Sequence, residues 1–174
     1  MSENADEGLV AVAGALLNLL AQHGWRLGTA ESLTGGMVGE AITAVPGASV
    51  SYMGGVISYT DREKTALLGV PAELLEKCGA ISVEVAEAMA QGCRERLNVQ
   101  VGLATTGVAG PTSDGRGTPV GTVFVACATP RACTVERLLL DGDRLHIRVE
   151  STRAALRLAI RLVTATLPRA EEMT

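Results

Sequence analysis

Thr29-Ala30-Glu31-Ser32-Leu33-Thr34-Gly35-Gly36 is the stretch on which the reading of this chain turns. Arg26 to Ala30 ahead of it reads as a short strand, and Thr34 to Val45 behind it reads as a helix stopped by Pro46-Gly47. Strand, turn and helix in that order make the first half of a βα crossover, which points to an α/β fold. The same order puts Ser32 at the turn and two glycines in the first helical turn. A turn of this kind exposes a hydroxyl beside unpaired backbone N–H groups, as a serine nucleophile with an oxyanion site requires. The plainer alternative is an N-cap, with the Ser32 oxygen accepting from the Gly35 N–H. Two glycines in a helical turn cost ~1 kcal/mol each relative to alanine, a cost that makes sense where a ligand must approach the backbone.

Working outward, the chain alternates helices and strands. Leu9 to His23 carries apolar residues at helical spacing and meets Gly24, a natural helix stop. Val50 to Tyr59 reads as a strand, with Gly54-Gly55 marking a bulge or a close backbone contact. Asp61 is the expected cap of a short helix through Lys64, Leu67 and Leu68 that ends at Gly69. Ser82 is the expected cap of a helix running to about Leu97. Val99 to Thr105 reads as a buried strand, and Gly107 to Pro119 as a loop. Val120 to Ala128 and Cys133 to Leu140 read as a hairpin or neighbouring strands, before a final helix from about Asp143 to Leu167. Early crossovers favour parallel pairing and the late hairpin favours an antiparallel edge, giving an α/β sandwich on a mixed, mostly parallel sheet. Its 174 residues fit a single domain, with a core from about residue 9 to 167, and show no repeat or linker.

Composition narrows the function. Of 15 basic residues only Lys64 and Lys77 are lysine. A chain that otherwise uses arginine keeps lysine where an amine must lose its proton, which a guanidinium cannot do. With Asp61 as cap, Lys64 would stand at the third helical position, where the helix dipole and desolvation both lower its pKa toward that of a useful general base. The alternative is a solvated lysine on an exposed face. Tyr59, at the end of the preceding strand, is either a half-buried sheet aromatic or a participant in proton relay or ring contact.

Aromatics are only 2% of the chain and the net charge is −4, so nucleic-acid binding is not expected. Cys78, Cys93, Cys127 and Cys133 lack metal-ligand spacing and read as reduced thiols, with no metal site expected. Met1 to Glu7 is polar and acidic rather than a leader, and no uncharged apolar run reaches spanning length; a cytoplasmic protein with no membrane partner is expected.

Thr106-Gly107-Val108-Ala109-Gly110-Pro111 forms the second candidate wall of the site. A strand running into this loop offers N–H groups and a hydroxyl at its carboxyl end, where α/β proteins bind ligands. On the last helix Arg153, Arg157 and Arg161 form one face, a solvated stripe or a subunit contact; a homodimer is the expected assembly. Arg144 and Arg148 stand at the helix start, where a guanidinium fork and a helix N-terminus both suit a phosphate. His146 between them permits a rival Ser–His arrangement.

Taken together, Ala30 to Gly36, Gly55-Val56-Ile57-Ser58-Tyr59 with Lys64, Gly79-Ala80-Ile81-Ser82, Thr106 to Pro111, Pro119-Val120-Gly121-Thr122-Val123 and Gly142-Asp143-Arg144 with Ile147-Arg148 resemble the C-terminal domain of the CinA family, the nicotinamide-nucleotide amidases. The motifs run in family order over nearly the whole chain. The resemblance implies a three-layer α/β/α domain that hydrolyses the carboxamide of nicotinamide mononucleotide to nicotinate mononucleotide and ammonia, with no cofactor. Ser32 as nucleophile, Lys64 as base and Tyr59 with them are the expected catalytic residues. Thr34, Gly35, Gly36, Thr106, Gly107, Ala109, Gly110, Arg144 and Arg148 are the expected substrate-binding residues. Family members commonly carry a second, N-terminal domain; the match here begins at once, as in a stand-alone form. One departure is the segment Thr112-Ser113-Asp114-Gly115-Arg116-Gly117-Thr118, where the family often has glycines and a lysine; Arg116 is the charge available in its place. The rival readings are a serine–lysine amidase for another small amide and a non-catalytic nucleotide-binding module.

Overall fold

A computed structural model describes residues 8–166. Its elements are α1 (Leu9–Gln22), β1 (Leu27–Glu31), α2 (Met37–Thr43), β2 (Tyr52–Ile57), α3 (Asp61–Leu68), α4 (Ala72–Cys78), α5 (Val83–Arg96), β3 (Val101–Gly107), β4 (Thr122–Ala128), β5 (Cys133–Leu139) and α6 (Arg144–Thr166). The acidic segment Met1 to Glu7 and the expected helix end at Leu167 lie outside the described residues.

The sheet has the order β2-β1-β3-β4-β5. β1 pairs in parallel with both β2 and β3, whereas β4 is antiparallel to β3 and to β5. Only β4 therefore runs against the rest, and the sheet is mixed with one direction dominant. Side-chain alternation decides what covers each face. Leu27, Leu103, Val123, Val125 and Cys127 bury against α1, α2 and α6, while Ala30, Ala104, Phe124, Ala126 and Ala128 bury with residues of α3, α4 and α5. Helices on both faces make the three-layer sandwich. α5 lies close because β1 and β3 present glycine to it; a Cβ at Gly102 would overlap the Ala90 carbonyl oxygen.

Several expectations hold locally. The Ser82 hydroxyl caps α5 by accepting the Val85 N–H. Met53 is the extra residue of a bulge, since Tyr52 pairs with Leu27 and Gly54 with Gly28. A Cβ at Gly55 would collide with the Thr29 hydroxyl, so both meanings of the glycine pair apply.

Other expectations need correction. Gly35 and Gly36 are not in a helical turn: their φ values are 59° and 102°, left-handed, and α2 starts after them. The glycines are there because only they adopt this backbone cheaply. α3 is capped by Thr60, whose hydroxyl accepts the Glu63 N–H, and Asp61 is its first helical residue. Lys64 consequently sits one position deeper than its expected place. α4, missed in sequence, is a short helix begun by Pro71 and ended at Gly79.

The connections from β1 leave toward β2 on one side, and β3 lies on the other. This makes a topological switch point between β1 and β3, with a crevice at the carboxyl ends of the strands. Ser32 follows β1 there, and its N–H donates to the Thr105 carbonyl across the gap, 3.1 Å away.

Candidate active site

A cavity of about 220 Å3 opens at that switch point, between Ser32, Leu33, Tyr59, Asp61, Lys64, Ala80, Ile81, Thr106, Gly107, Ala109 and Arg144. Four separated segments and the start of α6 thus converge on one place. Lys64 is the decisive member. It is 1% exposed, and its Nζ donates to Ser32 Oγ at 3.2 Å and to the Ser58 carbonyl at 3.0 Å. Desolvation lowers its pKa from that of an ordinary lysine, and the nearby Asp61 carboxylate offsets part of the effect. The amine is thereby brought toward a neutral state beside the Ser32 hydroxyl.

Ser32 is not a side-chain cap. The Gly35 N–H donates to the Ser32 carbonyl oxygen at 3.1 Å, and the first N–H groups of α2 behind Gly36 go to Glu31 and not to Ser32. Its hydroxyl is left for Lys64. The expectation that N–H groups through Gly36 are open to an oxyanion is only partly met, because the Gly36 N–H donates to Glu31 at 2.9 Å. Among the described residues the Leu33 and Thr34 N–H groups donate to no acceptor, as do those of Ala109 and Gly110 across the cavity.

The remaining expected residues divide between cavity and support. Thr106, Gly107 and Ala109 line the cavity, with the Thr106 hydroxyl donating to the Ala80 carbonyl at 2.8 Å. Gly110 contributes its carbonyl oxygen, which accepts from Arg144 Nη1 at 2.6 Å. Arg144 Nη2 donates to the Tyr59 hydroxyl at 3.1 Å, so arginine and tyrosine form one rim. Tyr59 is 58% exposed and hydrogen-bonds neither Ser32 nor Lys64. Thr34, by contrast, is fully buried, its hydroxyl donating to Glu31 and joined to that of Thr105. Gly35 and Gly36 shape the turn without lining the cavity. Arg148 does not line it either; its Nε and Nη2 donate to the Leu33 and Thr34 carbonyls at 3.0 and 2.7 Å.

His146 is exposed, outside the cavity, so the Ser–His arrangement is not assembled. Arg116 reaches instead to the Leu75 and Glu76 carbonyls at the end of α4 and lines a neighbouring depression. Glu31 does not stand out in sequence, where a carboxylate beside a turn reads as solvated; it is 2% exposed. Its position directly before the serine, facing the start of a helix, is the available signal.

Residues 10–163 match the CinA C-terminal domain family. The chain belongs to the CinA family. A CinA-like protein of Gemmatimonas aurantiaca is 44% identical over 150 residues, covering 86% of this chain and 35% of the relative. A CinA-like protein of Frankia casuarinae is 43% identical over 170 residues, covering 98% of this chain and 38% of the relative. The chain therefore spans only about a third of the length of these curated relatives. Solved CinA structures agree more fully in extent. A competence-damaged protein (CinA) superfamily protein from Escherichia coli superposes with a TM-score of 0.88 at 33% identity, over 92% of this chain and 94% of that one. One from Klebsiella pneumoniae gives 0.88 at 28% identity, over 91% and 99%. The CinA fold expected from the motifs is thus the fold observed. No helix among the described residues is long and apolar enough to cross a membrane.

Proposed function

We propose that this CinA domain is an amidohydrolase that converts nicotinamide mononucleotide to nicotinate mononucleotide and ammonia through an acyl-enzyme on Ser32. The observation that carries the reading is the buried Lys64 amine 3.2 Å from Ser32 Oγ. A neutral amine has one lone pair and two N–H bonds. With one N–H kept on the Ser58 carbonyl, the neutral amine can turn its lone pair to the Ser32 hydroxyl in place of the N–H donated there.

In the first half-reaction Lys64 takes the Ser32 proton as Oγ bonds to the carboxamide carbon. The oxyanion is held by the Leu33 N–H, next to the nucleophile, with Ala109 or Gly110 available opposite. The lysine proton passes to the departing nitrogen and ammonia leaves. Water then gives a proton to the same amine, attacks the ester carbon and releases the acid with Ser32 restored. Arg144, at the rim and at the start of α6, is the assigned grip for the 5′-phosphate. The Tyr59 ring borders the substrate's base. The step requires no metal or organic cofactor. Four free thiols fit the reducing compartment we assign, the cytoplasm, and the dimer remains our assignment of assembly.

Ammonia release from nicotinamide mononucleotide, compared with nicotinamide riboside and several unrelated small amides, tests the reading. Turnover of the mononucleotide above all others supports it. Preference for a different amide keeps the Ser–Lys chemistry and replaces the substrate; tight binding of the mononucleotide without ammonia makes the domain a nucleotide-binding module.

A further inference from the structure

Residues 32–36 lie between strand and helix and have little internal bonding. The Gly35 N–H reaches the Ser32 carbonyl, and the two glycines are left-handed. Such a segment has no intrinsic reason to hold one hydroxyl in register with an amine on another element. Its rigidity must come from outside.

Two charged side chains supply it, from opposite kinds of backbone group. The Glu31 carboxylate accepts four hydrogen bonds: Thr34 Oγ1 at 2.7 Å, and the N–H groups of Gly36, Val38 and Gly39 at 2.9, 3.1 and 2.9 Å. Those three N–H groups are the otherwise unpaired donors at the start of α2. Arg148, from α6, takes the carbonyls of Leu33 and Thr34 with two donors of one guanidinium. The carboxylate thus gathers N–H groups at the far end of the turn, and the guanidinium gathers carbonyls next to the nucleophile. Thr34 links the two systems, since its hydroxyl bonds Glu31 and its carbonyl accepts from Arg148; the hydroxyl also meets Thr105 Oγ1 at 2.8 Å on β3, the strand behind the second wall of the cavity.

We infer that Glu31 and Arg148 are positioning residues for the Ser32–Lys64 pair, with Arg148 acting through the serine turn and not through the substrate's phosphate. This rests on the reading of Ser32 as a nucleophile. The two arginines of α6 then have separate roles, Arg144 at the rim toward substrate and Arg148 behind the turn. A peptide plane fixed by its carbonyl also fixes the N–H of the residue that follows. Holding Leu33 and Thr34 by their carbonyls therefore orients the N–H groups of Thr34 and Gly35, the second of which closes back on Ser32.

The test uses the whole chain and two readouts. One is kcat and KM on nicotinamide mononucleotide and on nicotinamide riboside. The other is the rate at which a fluorophosphonate labels Ser32, which needs no amide substrate. R148A is expected to lower kcat by about 10–100-fold on both substrates with KM within about two-fold, the scale of a misplaced reacting group. Labelling should slow by the same factor. Methylguanidinium should restore part of the rate to R148A and none to the parent. R148K should stay slow, because one ammonium does not reproduce a fork spanning two carbonyls. E31Q, which must turn an amide NH2 toward N–H donors, should show the same kcat and labelling loss, and serves if R148A does not fold. A rise in KM for the mononucleotide alone, with labelling unchanged, would overturn the inference and return Arg148 to the phosphate. Unchanged kcat and labelling in both variants would also overturn it. If the parent is labelled at Ser32 yet releases no ammonia, the amidase reading fails and the labelling ratio still decides the role of Arg148. A parent with neither turnover nor labelling overturns both.

Discussion

The Lys64 amine stands 3.2 Å from the Ser32 hydroxyl, although the two residues belong to different βα units and are 32 positions apart. They meet in the crevice at the strand ends. Removing the hydroxyl should stop the chemistry and spare the fold. We expect Ser32→Ala to lose turnover by roughly four powers of ten or more, the scale seen when a nucleophile is deleted. Ammonia release and circular dichroism on the same preparation check it. Near-parental activity in a folded variant would end the covalent mechanism.

The base should reveal itself in pH dependence. Burial lowers the pKa of Lys64 and Asp61 partly restores it. The rate should therefore rise with pH as the amine loses its proton. Asp61→Asn removes the opposing charge, so the acid limb of the kcat/KM profile should move to lower pH. Lys64→Arg keeps a charge that does not ionise and should be nearly as inactive as Lys64→Ala. A limb that moves upward, or not at all, in Asp61→Asn would disconnect it from this lysine.

The same burial has a signature in stability. Between the depressed pKa of folded Lys64 and the ordinary lysine value of 10.5, the unfolded chain holds a proton that the folded chain has released. Stability therefore rises with pH across that window, is fully gained above 10.5 and is lost as pH falls through the folded value. Lys64→Met lacks this dependence. Urea unfolding at neutral pH and at about pH 10 should show the parent gaining on the variant at the higher pH. A constant difference would mean that the lysine keeps its proton when folded.

Selectivity should reside at the rim. If Arg144 grips the phosphate, Arg144→Ala should cut kcat/KM on the mononucleotide by about one to two powers of ten, the value of a charge-assisted hydrogen bond of roughly 1.5–3 kcal/mol. The slow reaction of the riboside should barely change. Equal losses on both substrates would reduce Arg144 to a brace between Tyr59 and Gly110.

What could be read from sequence follows from what is local. The turn after β1, the cap at Ser82 and the closing hairpin each depend on neighbouring residues, and each is where the pattern puts it. Errors arise where a residue's environment is supplied from afar. Two glycines before Met37 look like the start of a helix unless their left-handed φ is known. Thr60 and Asp61 are both competent caps, and only the chain path from β2 decides between them. The positioning roles of Glu31 and Arg148 are harder to read: a carboxylate beside a turn reads as solvated, and Arg148 reads as a phosphate ligand because its partner lies 115 positions away.

That last separation bears on synthesis. Leu33 is made before Arg148, with every strand after β1 between them. Until α6 is made, the Leu33 and Thr34 carbonyls beside Ser32 lack the guanidinium that holds them. If Ser32 is the nucleophile we propose, its turn is set only once α6 has docked.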